Sequence, residues 1–338
     1  MAETNFIDLG KIEAIRMLYE NTGFLPNEKN HFKSGKDDVI YASSALYQEG
    51  IDFDLTYFPL KHLGYKCVIG VTGELYASLS SPKTLSVRLG VSAKLGYEMV
   101  KELWDGVCTA AKEHNYSSVG LDLVPSGNGL VISLSAVGET DGLVAGHRSE
   151  AVSKDLICVS GSLGAAYLGL QLLERERKVF DKTKDDGRQP DLEKYKMIIG
   201  DYVKPELNPD IVCQMAASGI HPSFGYFVTR GLADTVKRLV RDSGFGAKIY
   251  ADKIPFEGNS FELGKELDMD PISAAMNGGD DFRLLFTIPI SSVEKFRHDF
   301  QSFDIIGHLA NSDVGAVLVS PDGVEFPLKA QGWKEEID

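Results

Sequence analysis

The sequence predicts an α/β or α+β protein of two domains. Three observations carry this. The chain has 338 residues, more than one typical core needs. Strand-like and helix-like segments alternate through both halves. A polar stretch from Gly138 to Lys154, with Gly142 and Gly146, separates them. The expected units are residues 1–148 and 149–338.

In chain order, 11–20 has the spacing of a short amphipathic helix, and Asn21 to Asp38 reads as a loop punctuated by Gly23, Pro26 and Gly35. Val39 to Ser44 suggests a strand. Cys67 to Val71 is apolar without a clear period. Leu85, Val87 and Leu89 alternate with polar neighbours in Pro82 to Gly90, as in a half-buried strand. Residues 92–114 form the clearest helix, because Leu95, Met99, Leu103, Val107 and Ala111 recur every four residues. Val119 to Leu123 and Leu130 to Val137 follow as strands.

The second half opens with a strand at Leu156 to Ser160. Gly161 and Gly164 then lead into a helix through Leu173, and Asp181 to Pro190 is a charged loop. Helices are expected at Asp210 to Ser218 and Leu232 to Asp242, and strands at 284–288 and 315–319.

Composition is that of an ordinary globule, 43% hydrophobic and 25% charged. No apolar run reaches the roughly 18 residues of a membrane span. Met1 to Gly10 lacks the basic start and apolar run of a signal peptide, so a cytoplasmic protein is expected. A net charge of −14 argues against nonspecific nucleic-acid binding, which needs a basic surface. It leaves room for a nucleotide, since magnesium can bridge acids and phosphates. The four cysteines are scattered without a C-x-x-C pair and read as buried free thiols. Neither a P-loop nor a dinucleotide fingerprint is present.

Several acids stand out. Asn277-Gly-Gly-Asp-Asp281 places two carboxylates on a glycine turn at the entrance of an apolar strand. Such a turn can hold a metal or polar substrate, or simply cap backbone N–H groups. Asp122 interrupts an apolar strand; buried there it must be paired, hydrogen-bonded or on a metal, and otherwise it is a strand-end aspartate in solvent. Glu49, Asp52 and Glu74 lie at segment ends, where open α/β folds bind ligands, although Glu49 and Asp52 read equally well as solvated loop acids. Gly161-Ser-Leu-Gly164 can receive a phosphate on free N–H groups, although tight strand-to-helix packing explains it as well.

Taken in order, these segments resemble the thiamine-monophosphate kinase family of the aminoimidazole-ribonucleotide-synthetase-like superfamily, from about Leu9 to Trp333. Glu49-Gly-Ile-Asp-Phe53 is similar to a family segment with histidine in place of Asp52. Val119-Gly-Leu-Asp122, Ser160-Gly-Ser-Leu-Gly164, Lys204-Pro-Glu206, Asn277 to Phe282 and Gly332-Trp333 follow collinearly. The resemblance implies a synthetase-like fold whose N-terminal domain adds strands to a dimeric β-barrel, beside a C-terminal α/β domain. It also implies transfer of the γ-phosphoryl of ATP to thiamine monophosphate, giving thiamine diphosphate, with Mg2+ held by a cluster of aspartates.

On that pattern Gly120, Asp122 and Arg230 fall on the nucleotide side, and Glu74 and Asp122 on metal positions. Gly278, Gly279, Asp280, Asp281 and Trp333 fall on the substrate side. The partners implied are ATP, thiamine phosphate and a second copy of the chain. Several family carboxylates are replaced. Ala45, Phe227 and Arg230 stand at aspartate positions, Glu74 at another, Arg283 at a glutamate, and Asn208 at an arginine. Asp37-Asp38 is the nearest counterpart of a further acidic pair. An arginine within a carboxylate cluster repels Mg2+. The expectation is therefore a kinase-like protein with weak or lost activity. The alternatives are a non-catalytic nucleotide- or thiamine-phosphate-binding module, and an ATP-dependent enzyme on another small substrate.

Overall fold

A computed structural model describes residues 11–23, 30–33, 39–140, 148–182 and 192–333. The pair Asp37-Asp38 and nearly all of the charged loop 181–190 lie outside the described residues.

The first half contains α1 (Lys11–Tyr19), β1 (Asn30–Lys33), β2 (Val39–Gln48), α2 (Leu60–Ala77), β3 (Ser81–Ser92), α3 (Tyr97–Glu113), β4 (Ser118–Ser126) and β5 (Val131–Thr140). Its five strands form one sheet in the order β1-β2-β5-β3-β4. All pairs are antiparallel except β3 with β4. Leu85, Val87 and Leu89 on β3 and Ile132, Leu134 and Ala136 on β5 point to the same buried side, as the period of two requires.

Helix α2 contains Cys67 to Val71, the stretch without a readable period, and its surroundings explain why. It is buried almost all round, and a helix covered on every side carries no polar stripe. It lies between the two halves, against β2 and β5 on one side and against two strands of the second half on the other. It meets α3 at glycine: a Cβ on Gly64 would stand 2.1 Å from the Leu103 carbonyl oxygen, and one on Gly106 would stand 1.9 Å from that of Lys61. By contrast, α3 is amphipathic and was readable.

The second half contains β6 (Leu156–Ser160), α4 (Ala165–Lys182), α5 (Lys196–Val203), α6 (Ile211–Ser218), β7 (Gly225–Val228), α7 (Leu232–Ser243), β8 (Gly246–Tyr250), α8 (Ser260–Leu267), α9 (Pro271–Asn277), β9 (Arg283–Ile288), α10 (Val293–Asp299), β10 (Phe303–Ala310), β11 (Ala316–Val319) and β12 (Glu325–Pro327). Its seven strands follow the order β12-β11-β8-β10-β6-β9-β7.

Strand β9 is covered on both faces. Leu284 and Phe286 join the core cluster that contains α2, while Leu285 joins a second cluster with Val228, Leu232, Val236 and Ile249 beneath α7. This double coverage accounts for the apolar run Leu284 to Phe286 and for Ile288, with the buried Thr287 between them hydrogen-bonded to Ser223 and the Phe224 amide. One cluster therefore extends from the first sheet across α2 to the second.

Three expectations change. The 21–38 loop contains β1. Tyr226 to Val228, matched only to a helix entrance, is part of β7, and α7 begins at Leu232. Cysteines 67 and 158 are buried free thiols, but Cys108 is intermediate and Cys213 is exposed.

Candidate functional site

The acidic glycine turn serves as a buckle. Gly279 has φ +86° and Gly231 has φ +87°, conformations that L side chains rarely adopt. A Cβ on Gly231 would lie 2.3 Å from the Met276 carbonyl oxygen, so the turn and the start of α7 fit only without one. The Asp280 amide donates to Thr229 O at 2.9 Å, and the Phe282 amide to Val228 O at 2.9 Å. Both residues have positive φ, tolerable for aspartate and uncommon for phenylalanine. Phe282 is held there by burial and by stacking on Phe227 at 5.3 Å.

The two aspartates have separate tasks. Asp280 Oδ2 lies 2.9 Å from Lys66 Nζ, a lysine on α2 that is only 3% exposed. That ammonium also sits 3.7 Å from the Tyr202 ring centroid, with Phe58 and Phe282 farther off. A buried ammonium needs such company. Asp281 is buried, and its Oδ1 accepts the Gly164 N–H at 2.9 Å. Burial pushes its carboxyl up to about 7, against the pull of that hydrogen bond and of Arg283.

Gly164 N–H is thus engaged, and a Cβ on Gly164 would stand 2.7 Å from Ala275 N, which is the packing alternative for 161–164. Arg283 binds Asp201 at 2.7 Å and the Ser162 carbonyl at 3.0 Å.

The buckle fixes the two walls of a cleft. Lys66 belongs to the helix that carries Glu74, and Thr229 precedes Arg230. The cleft has two adjoining chambers of about 950 Å3 and about 260 Å3, which share Ile12, Ile15, Tyr41, Glu74, Ser78 and Arg238. Helix α1 contributes Ile12 and Ile15 to both. The larger chamber adds Tyr19, Phe224, Tyr226 and Phe227, with Arg16, Arg148 and Arg241. The smaller adds Lys11, Ser43, Ser44 and Arg230.

The family positions now have physical readings. Phe227 is buried against Gly73, where a Cβ would approach its ring to 2.2 Å, and it stacks on Phe282. Where the resemblance implies a carboxylate, this side chain serves packing. Arg230 is exposed at the cleft, close to the partly buried Glu74. Arg148 offers only long contacts to main-chain oxygens, Ser223 O at 3.4 Å and Ala77 O at 3.5 Å, and desolvation lowers its pKa. Sequence reasoning missed Arg148, because a single arginine in a polar stretch carries no pattern.

The residues singled out do not gather in one place. Glu74 and Arg230 share a chamber. Gly278, Gly279, Asp280 and Asp281 lie behind the cleft wall and are not among the residues lining either chamber. Asp122 is not buried: it is on the edge strand β4, its side chain is 62% exposed, and Arg88 is 3.9 Å away. An edge strand covered on neither face leaves even Leu121 and Leu123 open, so the apolar run did not signify burial. Gly120 on the same strand faces open space. Glu49 and Asp52 cap a turn, accepting from the amides of Leu130 and Gln48 at 2.7 Å each. Trp333 Nε1 donates to Asp234 at 2.8 Å, and its ring lies near Lys237 and Arg241.

Magnesium requires oxygen donors converging from several sides. Among the described residues no group of three or more acidic, histidine or cysteine side chains is placed to hold a metal. Glu74 stands instead in a cleft shared with Arg230, Arg148 and Arg238. These residues do not fit the metal cluster that the resemblance implies.

No family model matches the sequence. It is 22% identical over 305 residues to thiamine-monophosphate kinase of Bacillus subtilis, covering 89% of each chain. It is 26% identical over 295 residues to the Aquifex aeolicus enzyme of the same name, covering 87% of each. Among solved structures, AaThiL complexed with AMPPCP and TMP superposes with a TM-score of 0.79 at 21% identity, covering 99% of both chains. Fold, length and collinear motifs agree with those of the thiamine-monophosphate kinases, to which the chain is similar over most of its length.

Proposed function

We propose that the chain binds ATP and thiamine monophosphate in the cleft between its two sheets, and that phosphoryl transfer between them is weak or absent. The observation carrying this reading is the cleft itself. Its larger chamber combines flat apolar walls, including Phe224 stacked on Tyr226, with guanidinium groups. Rings suit an aromatic heterocycle, and arginines suit phosphate oxygens. Transfer between two phosphate-bearing anions needs charge neutralised in flight, and in phosphoryl transfer generally metal ions do this. Arg230, exposed at the cleft where the resemblance implies a carboxylate, supports weak or absent transfer.

The division at 148/149 belongs to this reading, since the strands of each sheet fall on one side of it. So does a homodimer formed through β4, whose exposed Leu121, Leu123 and Val124 border an unpaired strand edge. Gly120 and Asp122 enter the nucleotide site only through such a dimer. Among the described residues no helix is long and apolar enough to cross a membrane, and the reading places the protein in the cytoplasm.

The test is a coupled assay with ATP, Mg2+ and thiamine monophosphate. Little or no thiamine diphosphate is expected. Turnover near ~1 s⁻¹, the low end of ordinary enzymes, would overturn the weak-transfer reading.

A further inference from the structure

The mismatch between cleft and metal has a positive side. Among the described residues lining the two chambers, six side chains are cationic (Lys11, Arg16, Arg148, Arg230, Arg238, Arg241) and two are acidic, Glu74 and Asp242. In a chain of net charge −14, that is a local reversal of sign. Most of these cations already face acids. Arg16 pairs with Glu13 and Glu20, Arg238 with Asp234, and Arg241 with Asp242.

Arg148 and Arg230 differ. Among the described residues neither has a carboxylate within ion-pair distance. Arg148 is half-buried with only two long main-chain contacts. They lie in the two chambers that meet at Glu74. The buckle holds Arg230 in place, since Thr229 O receives the Asp280 amide and Gly231 is locked against Met276.

We propose that the cleft binds a phosphate-bearing anion without a divalent metal, with Arg148 and Arg230 supplying the charge that magnesium supplies in a carboxylate cluster. Guanidinium groups meet phosphate oxygens through paired N–H donors and stay protonated at every working pH. Glu74 lines both chambers, and its negative charge opposes an anion placed there without the arginines. No bond is made or broken at this site; it is a binding function. It deepens the reading above and rests on it for the identity of the organic part, though not for the phosphate.

Calorimetry on the full chain separates the two. Inorganic pyrophosphate in EDTA probes the metal-free anion site, and a non-hydrolysable ATP analogue and thiamine monophosphate probe the fuller reading. Pyrophosphate is expected to bind in EDTA with a Kd within about twofold of that in Mg2+. Arg230→Asp should weaken binding in EDTA by about tenfold or more, as loss of a charge-assisted contact does, while Arg230→Lys keeps part of it. Because Arg230 is exposed, both variants should melt like the parent. Pyrophosphate binding without binding of either organic ligand would uphold this inference and overturn the ligand assignment above. Binding of any of these that needs Mg2+ and vanishes in EDTA would overturn it, as would no pyrophosphate binding in EDTA or an Arg230→Asp variant that binds as tightly as the parent.

Discussion

The turn at 277–282 and the cleft wall formed by Glu74, Phe227 and Arg230 lie in contact but follow different rules. The turn matches the family pattern closely, yet its side chains point into the protein: Asp280 to Lys66, Asp281 to Gly164, and Phe282 to Phe227. The wall departs from the pattern: Phe227 packs against the turn from behind, while Glu74 and Arg230 face the chambers that a ligand would enter. The comparison separates two reasons for a motif. Backbone geometry at Gly279 and Gly231 and a buried lysine held by a half-buried aspartate tolerate little change, so the turn reports the fold. Open cleft side chains such as Arg230 can be exchanged without disturbing the core, so they report present chemistry.

The largest effect should come from opening the buckle. Asp280→Ala leaves the Lys66 ammonium buried without its anion, and the expected loss is roughly 3 kcal/mol in urea unfolding. The aromatic rings around it keep the loss from being greater. Lys66→Met removes the buried charge instead and should cost about 1 kcal/mol or less, since an apolar chain fits the same surroundings. If Asp280→Ala unfolds like the parent, the turn is not a structural clamp and the contrast with the wall disappears.

A somewhat smaller effect depends on pH. The folded state raises Asp281 from 3.8 to about 7. Its contribution is therefore favourable below about pH 4, declines between there and pH 7, and is lost above. Asp281→Asn keeps an oxygen for the Gly164 amide but carries no charge. At pH 8 the variant should be more stable than the parent by about 2 kcal/mol, with the gain shrinking towards pH 4. Parallel stability curves for the two proteins across that range would show that Asp281 does not ionise against burial.

How far the sequence could be read follows the same division. Amphipathic α3 and the alternating β3 and β5 were legible because one face of each is buried and the other is wet. Helix α2 was not, because its burial on all sides erased the period that would have marked it. At the site, the resemblance implies a carboxylate where Arg230 stands, and the arginine lines the smaller chamber. The aspartates of the turn misled, since a carboxylate beside glycine reads alike whether it faces a ligand or a buried lysine. Arg148 gave no signal, because its importance lies in what surrounds it and not in its neighbours along the chain.

Asp122 is the smallest expected effect and the sharpest test of what a single chain contains. It matches the family pattern as the turn does, but it is not buried, so neither rule above explains it. On one chain its carboxylate lies in solvent 3.9 Å from Arg88, an arrangement worth a few tenths of a kcal/mol. Asp122→Ala should therefore change unfolding stability by less than about 0.5 kcal/mol. Binding of an ATP analogue to dilute protein should be unchanged. If binding instead weakens about tenfold, and only at concentrations where the protein self-associates, then Asp122 reaches the ligand across a second copy. The edge strand β4 would then belong to the site, and its exposed Leu121 and Leu123 would be the interface that brings it there.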